Sequence, residues 1–490
     1  MKFNHLLCAG TILLAFSACS KDAVENTPNG GNENGEGAYM SLSISLPNTP
    51  GSRALDDGDS TEAGTVDEQK VNSLLVLVYN KTDDALDVAE TFDAAELIPD
   101  GPNPVAPGNI TSYSVPAFKV DESGEKKVVI IVNPNSQFST TSTLAEMRIA
   151  QELDKEGVAG ISSVYTEGGA TGFLMTNANT AVNLNDQGAE NTFEPTPFYP
   201  DGSVAVNVTG TKTNPTPVTI PVERAVAKIT DVSTEYTKTV TGGIDKVTFT
   251  KVALVNGNTK FFPIKSIRDS KVSGNDYVVD PNFNSPVAGT DFYFKMFSGD
   301  EADITEDDWK TLNSETPIAD REAFYTLENT MIKETQMTAY TTGLYYKATY
   351  YLDGASTAAN LYKFAGKVYN WSGLTAAAAG LGLDLGDLNN TTSTSAEFAA
   401  KGITKYTDGV CYYPYWIRHV NNNDPASMEV MEFGVVRNNV YKMTINSVKG
   451  IGTPDPVNPD PSTPDESSDA MLEVLVQVLP WTVRNNNVDF

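Results

Sequence analysis

The sequence predicts an all-β protein built as two β-sandwiches in tandem, with few short helices. Three observations predict it. Apolar runs of strand length recur along the chain, separated by polar breaks rich in Gly, Pro and Asn. Gly (37), Pro (27) and many Thr, Asn and Val residues favour short strands and turns over helix bundles. The chain has 490 residues, 40% of them apolar and only 20% charged, so it can bury a large core spread over two or three domains.

The elements follow in chain order. Residues 1–19 read as a secretory leader: Lys2 gives the positive start, and 6–16 is an apolar stretch too short to span a bilayer. Ser17 and Ala18 then precede Cys19. Small–small–Cys after an apolar run has the form of a lipobox, in which the Cys thiol is lipidated and becomes the new N-terminus. An ordinary signal peptide with an incidental Cys is the plainer alternative. Residues 20–37, rich in Asn, Gly and Glu with no apolar period, read as a flexible tether.

Residues 38–47 (AYMSLSISLP) alternate cleanly. Met40, Leu42, Ile44 and Leu46 share one face, and Ser41, Ser43 and Ser45 the other, as in a half-buried strand. Pro47, Pro50 and Gly51 end it, and a polar loop follows. Arg53 is the only Lys or Arg between Lys21 and Lys70, so an Arg-specific protease has one site there, at Arg53–Ala54. A cut would free tether and first strand together, making 20–53 a propeptide. Read plainly, Arg53 is a solvated loop charge.

The body is a succession of strand-like runs: 71–79, 127–132, 218–222, 225–229, 247–255, 342–352 and 440–445. The uninterrupted apolar cores at 74–78 and 128–132 suit central strands buried on both faces. Helical candidates are 144–152, 305–312 and 396–400. No internal repeat of 20–50 residues is present. A boundary near 221–226 gives one sandwich over 54–223 and a second over 224–450.

Residues 451–470 contain Pro454, Pro456, Pro459, Pro461 and Pro464 and read as an extended spacer, reaching on the order of 60 Å at about 3.1 Å per residue. The terminal segment 471–490 then opens with a strand. Leu472, Val474, Val476 and Val478 share one face; Met471, Glu473, Leu475, Gln477 and Leu479 share the other. Such a strand either returns to its own sheet or enters another subunit. Burying four or five aliphatic side chains there contributes roughly 6–15 kcal/mol before ordering costs. The strands at 40–46 and 472–478 are matched in length and alternation.

Composition also excludes functions. Lys+Arg number 34 against 63 Asp+Glu, a net charge of -29 that repels nucleic acid and anionic membrane faces. The cysteines are Cys8, Cys19 and Cys411, so after processing no internal disulfide framework is possible. With His5 in the leader, His419 stands alone, and no multi-histidine metal site can form. No nucleophile, phosphate-binding or calcium-loop motif occurs. The expectation is therefore no enzyme, no cofactor and no metal. The aromatic clusters at 345–351 and 412–416 read as core side chains, with a sugar platform as the alternative.

A series of blocks then carries a family resemblance: FSACSKD (16–22), MSLSISLP (40–47), KKVVIIVNP (126–134), FLMTNA (173–178), VERAVAKI (222–229), YTLENT (325–330), YKFAGKVYNW (362–371), FGVVRNNVYKMTINSVKGIGTPDP (433–456) and VQVLPWTVRNNNVDF (476–490). In this order the chain resembles the fimbrillins that build type V pili, in particular the minor-fimbrium shaft subunits. The resemblance implies two transthyretin-like sandwiches and a precursor lipidated (palmitate) at Cys19 and carried to the outer membrane. It implies cleavage after Arg53 by an Arg-specific protease, loss of the strand at 40–46, and its replacement by the strand at 472–478 of a neighbouring copy. Repetition makes a cell-surface fibre serving adhesion, biofilm formation and virulence, with accessory tip and anchor pilins as further partners. A tip or accessory adhesin, or a glycan-binding surface lipoprotein, are the alternative readings.

Overall fold

Two apolar clusters organise the chain, and three large sheets enclose them. The computed structural model describes residues 37–47, 62–100, 110–135, 137–152, 172–178, 199, 201–268, 277–287, 292–293, 306–422, 424, 427–456, 460–466 and 471–482. Cys19, Arg53 and Ala54 lie outside the described residues.

The first cluster is wrapped by a ten-stranded sheet. Its order runs Leu86–Asp93, Ser73–Asn80, Gly124–Val132, Met175–Asn177, Thr216–Arg224, Tyr39–Ser45, Ser112–Ser114 and Ile98–Pro99; Val204–Val208 and Phe118–Lys119 pair at its sides. The uninterrupted apolar runs lie where the sequence places them, in the middle: Leu74 to Tyr79 and Val128 to Val132 are all buried. Thr216–Arg224 serves two partners. Residues 216–221 pair with Tyr39–Ser45, and 222–224 with Met175–Asn177.

A single bend at Ala225 carries the chain from this strand into Val226–Asp231, which belongs to the next sheet. That sheet runs Glu62–Ala63, Leu472–Thr482, Asn439–Val448, Val226–Asp231, Phe324–Leu327. The third runs Thr237–Thr239, Lys246–Val255, Gly343–Tyr351, Val410–Trp416. The second cluster lies between them, with Tyr441, Met443 and Ile445 from one and Phe249, Leu344 and Tyr346 from the other.

Buried ion pairs gather around the bend. Arg437 grips Glu328 with two hydrogen bonds, 2.8 and 2.5 Å, and also donates to the carbonyls of Phe262 and Pro263. Lys265 pairs with Glu223 at 2.8 Å. Lys228 pairs with Glu68 at 2.7 Å, and Tyr325 donates to the same carboxylate. Burial opposes ionisation of Glu68, yet Lys228 and Tyr325 hold its carboxyl below the usual range.

The helices differ from expectation. Leu144 and Met147 are buried one turn apart, but 144–150 forms only turns before Gln151–Glu152 pairs as a strand with Lys260–Phe261. Within 305–312 only the 3-10 turn Glu306–Asp308 and the short strand Lys310–Thr311 form. The third candidate folds as Ser395–Ala399, started by a capping box of Thr394 and Glu397. A further helix, Trp371–Leu381, runs through an alanine-rich segment between an Asn370 cap and a left-handed Gly382. No helix among the described residues is long and apolar enough to cross a membrane.

Candidate functional site

The candidate site is the pair of strands that begin and end the described chain. Tyr39–Ser45, the leading strand, sits inside the first sheet with neighbours on both edges. On one side it runs parallel to 216–221, Met40 opposite Thr216 and Ile44 opposite Ile220. On the other it is antiparallel to Ser112–Ser114 and Phe118–Lys119. Val115 donates to the Leu42 carbonyl at 3.0 Å, Val120 to that of Ala38 at 2.8 Å, and Leu46 to that of Thr111 at 2.9 Å. Met40, Leu42, Ile44 and Leu46 are each no more than 1% exposed. At Gly210, whose carbonyl accepts from Tyr39, a Cβ would stand only 2.7 Å from the Tyr39 oxygen, so only glycine lets the chains approach.

No tight turn joins this strand to any neighbour. Its partners lie some 70 or more residues away in sequence, so its attachment runs only through its two ends. A cut in the loop after Pro47 would leave it held by non-covalent contacts alone. Four buried apolar side chains at about 1.5–3 kcal/mol each are still roughly 6–12 kcal/mol of retention. Such a cut would therefore not by itself release the strand.

Leu472–Thr482, the tail strand, lies on its own subunit. It is antiparallel to Asn439–Val448, with Val478 opposite Tyr441 and Val474 opposite Ile445. Its apolar face enters the second cluster: Leu472 is 4% exposed, Val474 7% and Val478 8%, with Val476 half-buried. The other face is exposed from Met471 to Gln477, Leu475 being 54% exposed, and only Leu479 at its end is buried. Among the described residues, the tail pairs along 472–480 with one strand, and its end gains a second partner where Glu62–Ala63 pairs with residues 481–482. Glu62 also reaches Lys442 at 2.7 Å.

The spacer is not a free tether. Tyr412 and Thr453 exchange backbone hydrogen bonds of 2.9 and 3.0 Å, and the hydroxyls of Tyr406 and Tyr413 donate to the carbonyls of Gly452 and Gly450. Further on, the Thr338 amide donates to the Thr463 carbonyl at 2.9 Å, and the Thr338 hydroxyl bridges the amide and carbonyl of Asp460. Thr341 donates to the Asp465 carboxyl, and Arg418 pairs with Glu466 and, at 2.5 Å, with Glu432. Proline composition reports extension; it cannot report docking to residues 122 or 124 positions away. Thr338, Thr341, Arg418 and Asp465 carry no sequence signal that would have singled them out.

The remaining candidates for chemistry are structural. Cys411 is buried and its thiol is pushed up to about 11, which makes it unreactive. Val436 donates its amide to the Tyr441 hydroxyl, which also hydrogen-bonds Nδ1 of His419, each at 2.7 Å. Burial holds this imidazole down to about 4, so it stays neutral. Of the aromatic clusters, Tyr345, Tyr346, Tyr350 and Tyr413 are buried core residues, while Tyr351, Tyr412, Tyr415 and Trp416 are half-buried. No group of three potential metal ligands occurs among the described residues.

Two family models match. "Major fimbrial subunit protein (FimA)" covers 38–224, beginning at the leading strand. "Major fimbrial subunit protein type IV, Fimbrillin, C-terminal" covers 404–487 and includes the tail strand. Together they span more than half of the chain. The chain belongs to the fimbrillin family. Among solved structures it is similar to a fimbrilin from Porphyromonas gingivalis at 18% identity, with 92% of this chain and 99% of that one covered and a TM-score of 0.43. It is also similar to the tip fimbrial protein Mfa3 of the same organism, C-terminally truncated, at 12% identity, 90% and 100% coverage and a TM-score of 0.39. No curated protein matches the chain by sequence.

Proposed function

We propose that the chain is a non-enzymatic shaft subunit of a cell-surface pilus that polymerises by strand exchange after cleavage at Arg53–Ala54. One observation carries this reading: the leading strand fills the middle of a sheet without a turn to either neighbour, while a tail of the same alternation lies near an edge. Removing the first leaves an apolar groove with two unpaired backbone edges, and such a groove favours occupation by another strand. Leu472, Val474, Val476 and Val478 of one copy would replace Met40, Leu42, Ile44 and Leu46 of the next. A head-to-tail contact of this kind propagates as a filament instead of closing.

In the same reading the subunit consists of two sandwiches, 54–223 and 224–450, and its precursor is a lipoprotein anchored at Cys19 to the outer membrane. The fibre would support adhesion and biofilm formation and take accessory tip and anchor pilins as partners. A tip subunit needs an acceptor groove but no donor, so a well-formed tail favours the shaft. Buried tyrosines weigh against the glycan-binding alternative.

The test locks the leading strand. Ser43 and Ser114 face each other in register with hydroxyl oxygens 2.9 Å apart. A Ser43→Cys/Ser114→Cys disulfide should keep the protein monomeric after treatment with an Arg-specific protease, and reduction should release filaments. Filaments that grow with the cross-link intact would exclude the exchange.

A further inference from the structure

We propose that residues 460–466 form a releasable clasp that stores the tail strand on its own subunit and sets how far it can reach toward a second copy of the chain. This rests on the strand-exchange reading above. The spacer touches its subunit at two places of opposite character. At 450–453 the contact is built to stay: Ile451 is buried in the second core, the backbone pairs with Tyr412 in both directions, and Gly452 lies so close that a Cβ would meet the Tyr412 oxygen at 2.2 Å. At 460–466 no apolar side chain is buried. Residues 460–464 are exposed, and the sole buried side chain is the carboxyl of Asp465.

That carboxyl is a poor permanent anchor. Thr341 donates to one oxygen, while the other is buried without a hydrogen-bond partner among the described residues. The nearby cation, Arg418, is engaged by Glu466 and Glu432. A buried, half-satisfied acid costs free energy that water would return, so this contact opens more easily than the first. Its neutral form suits the closed state: burial raises the Asp465 carboxyl to about 8, against the pull of Thr341 and Arg418.

The geometry gives opening a consequence. With the clasp shut, held as far as Asp465 and Glu466, the chain from 466 to 471 can span at most about 16–18 Å. With it open and the anchor at 453 retained, the same estimate gives about 60 Å. The clasp thus separates a tail that can fray from one that can cross to a neighbour.

Thr338 and Thr463 are opposite one another in the antiparallel pairing that joins Met337 to Pro464, a placement within disulfide reach. The full chain carrying Thr338→Cys/Thr463→Cys should, after Arg-specific cleavage, polymerise at least tenfold more slowly when oxidised than when reduced. The reduced sample controls for folding, and oxidised wild type controls for the native thiols. Oxidised protein that polymerises within threefold of its reduced rate would overturn the clasp. If wild type gives no filaments, or the lock between residues 43 and 114 does not block them, it is the exchange reading that fails.

Discussion

The leading and tail strands have nearly the same sequence pattern and quite different situations. Each places an aliphatic residue at every second position over about seven positions; the residues between are serines in the leading strand and Glu473, Leu475 and Gln477 in the tail. The leading strand is central, paired on both edges, with its apolar face sealed. Among the described residues the tail pairs on one edge over most of its length, and its apolar face is less completely sealed, with Leu472, Val474 and Val478 buried and Val476 half-buried. A central strand leaves only when something else takes its place; an edge strand can peel away while its sheet persists. Under the proposed exchange, the contrast would give it a direction: the leading strand would be the one displaced and the tail the one donated.

The largest expected effect is on the central position. Leu42→Ala should destabilise the uncut chain by about 2–5 kcal/mol in urea unfolding, because its cavity opens in a closed core. A loss below about 1 kcal/mol would put the leading strand on the same footing as the tail.

Acid offers a second way to separate the two. His419 hydrogen-bonds Tyr441, which faces Val478 of the tail. Its imidazole lies at about 4 in the folded chain against an ordinary 6.5. Below pH 6.5 the unfolded chain takes up a proton that the folded one refuses. The stability is thus intact above 6.5 and is lost as pH falls toward 4, by about 3 kcal/mol at most. Asp280 and Asp465, raised to about 8 by burial, act with the opposite sign and lose stability as pH rises. Replacing His419→Gln should flatten the acid limb, measured as unfolding free energy against pH. An unchanged acid limb would mean that the tail's sheet does not depend on this buried pair.

Hydrogen exchange sharpens the comparison further. Among the described residues, alternate amides of 472–480 face no partner strand, and they should exchange roughly tenfold or more faster than those of 40–45. Equal protection would place the tail in as closed a setting as the leading strand. The smallest effect belongs to Leu475. Being half exposed, it should tolerate Leu475→Ser within about 0.5 kcal/mol by the same urea measurement.

Much of the fold was legible because strand alternation is a local property. The face bearing Met40, Leu42, Ile44 and Leu46 could be read from period two, and the two-sided burial of 74–78 from an unbroken aliphatic run. Helices were less legible. Leu144 and Met147 have helical spacing, but the chain is drawn off after one turn to pair with 260–261. The alanines of Trp371–Leu381 form a helix through propensity and caps with only Leu374 and Ala378 buried, so apolar periodicity gave little to find. At the candidate site, the strands were legible and the docking of the spacer was not.

From the sequence came the apolar faces of the terminal strands, the approximate places of the main strands and the match between the two terminal strands, all of which depend on residues within a few positions of each other; strand ends did not, 440–445 extending to Asn439–Val448. Tertiary structure alone decided that residues 40–45 run parallel to 216–221 in mid-sheet, that 472–480 sits beside 439–448, and that Asp465 is buried under Thr341. Alternation records that a strand has a dry face and a wet one. Which strands stand beside it is fixed by contacts between residues far apart in the chain, and these no local pattern encodes.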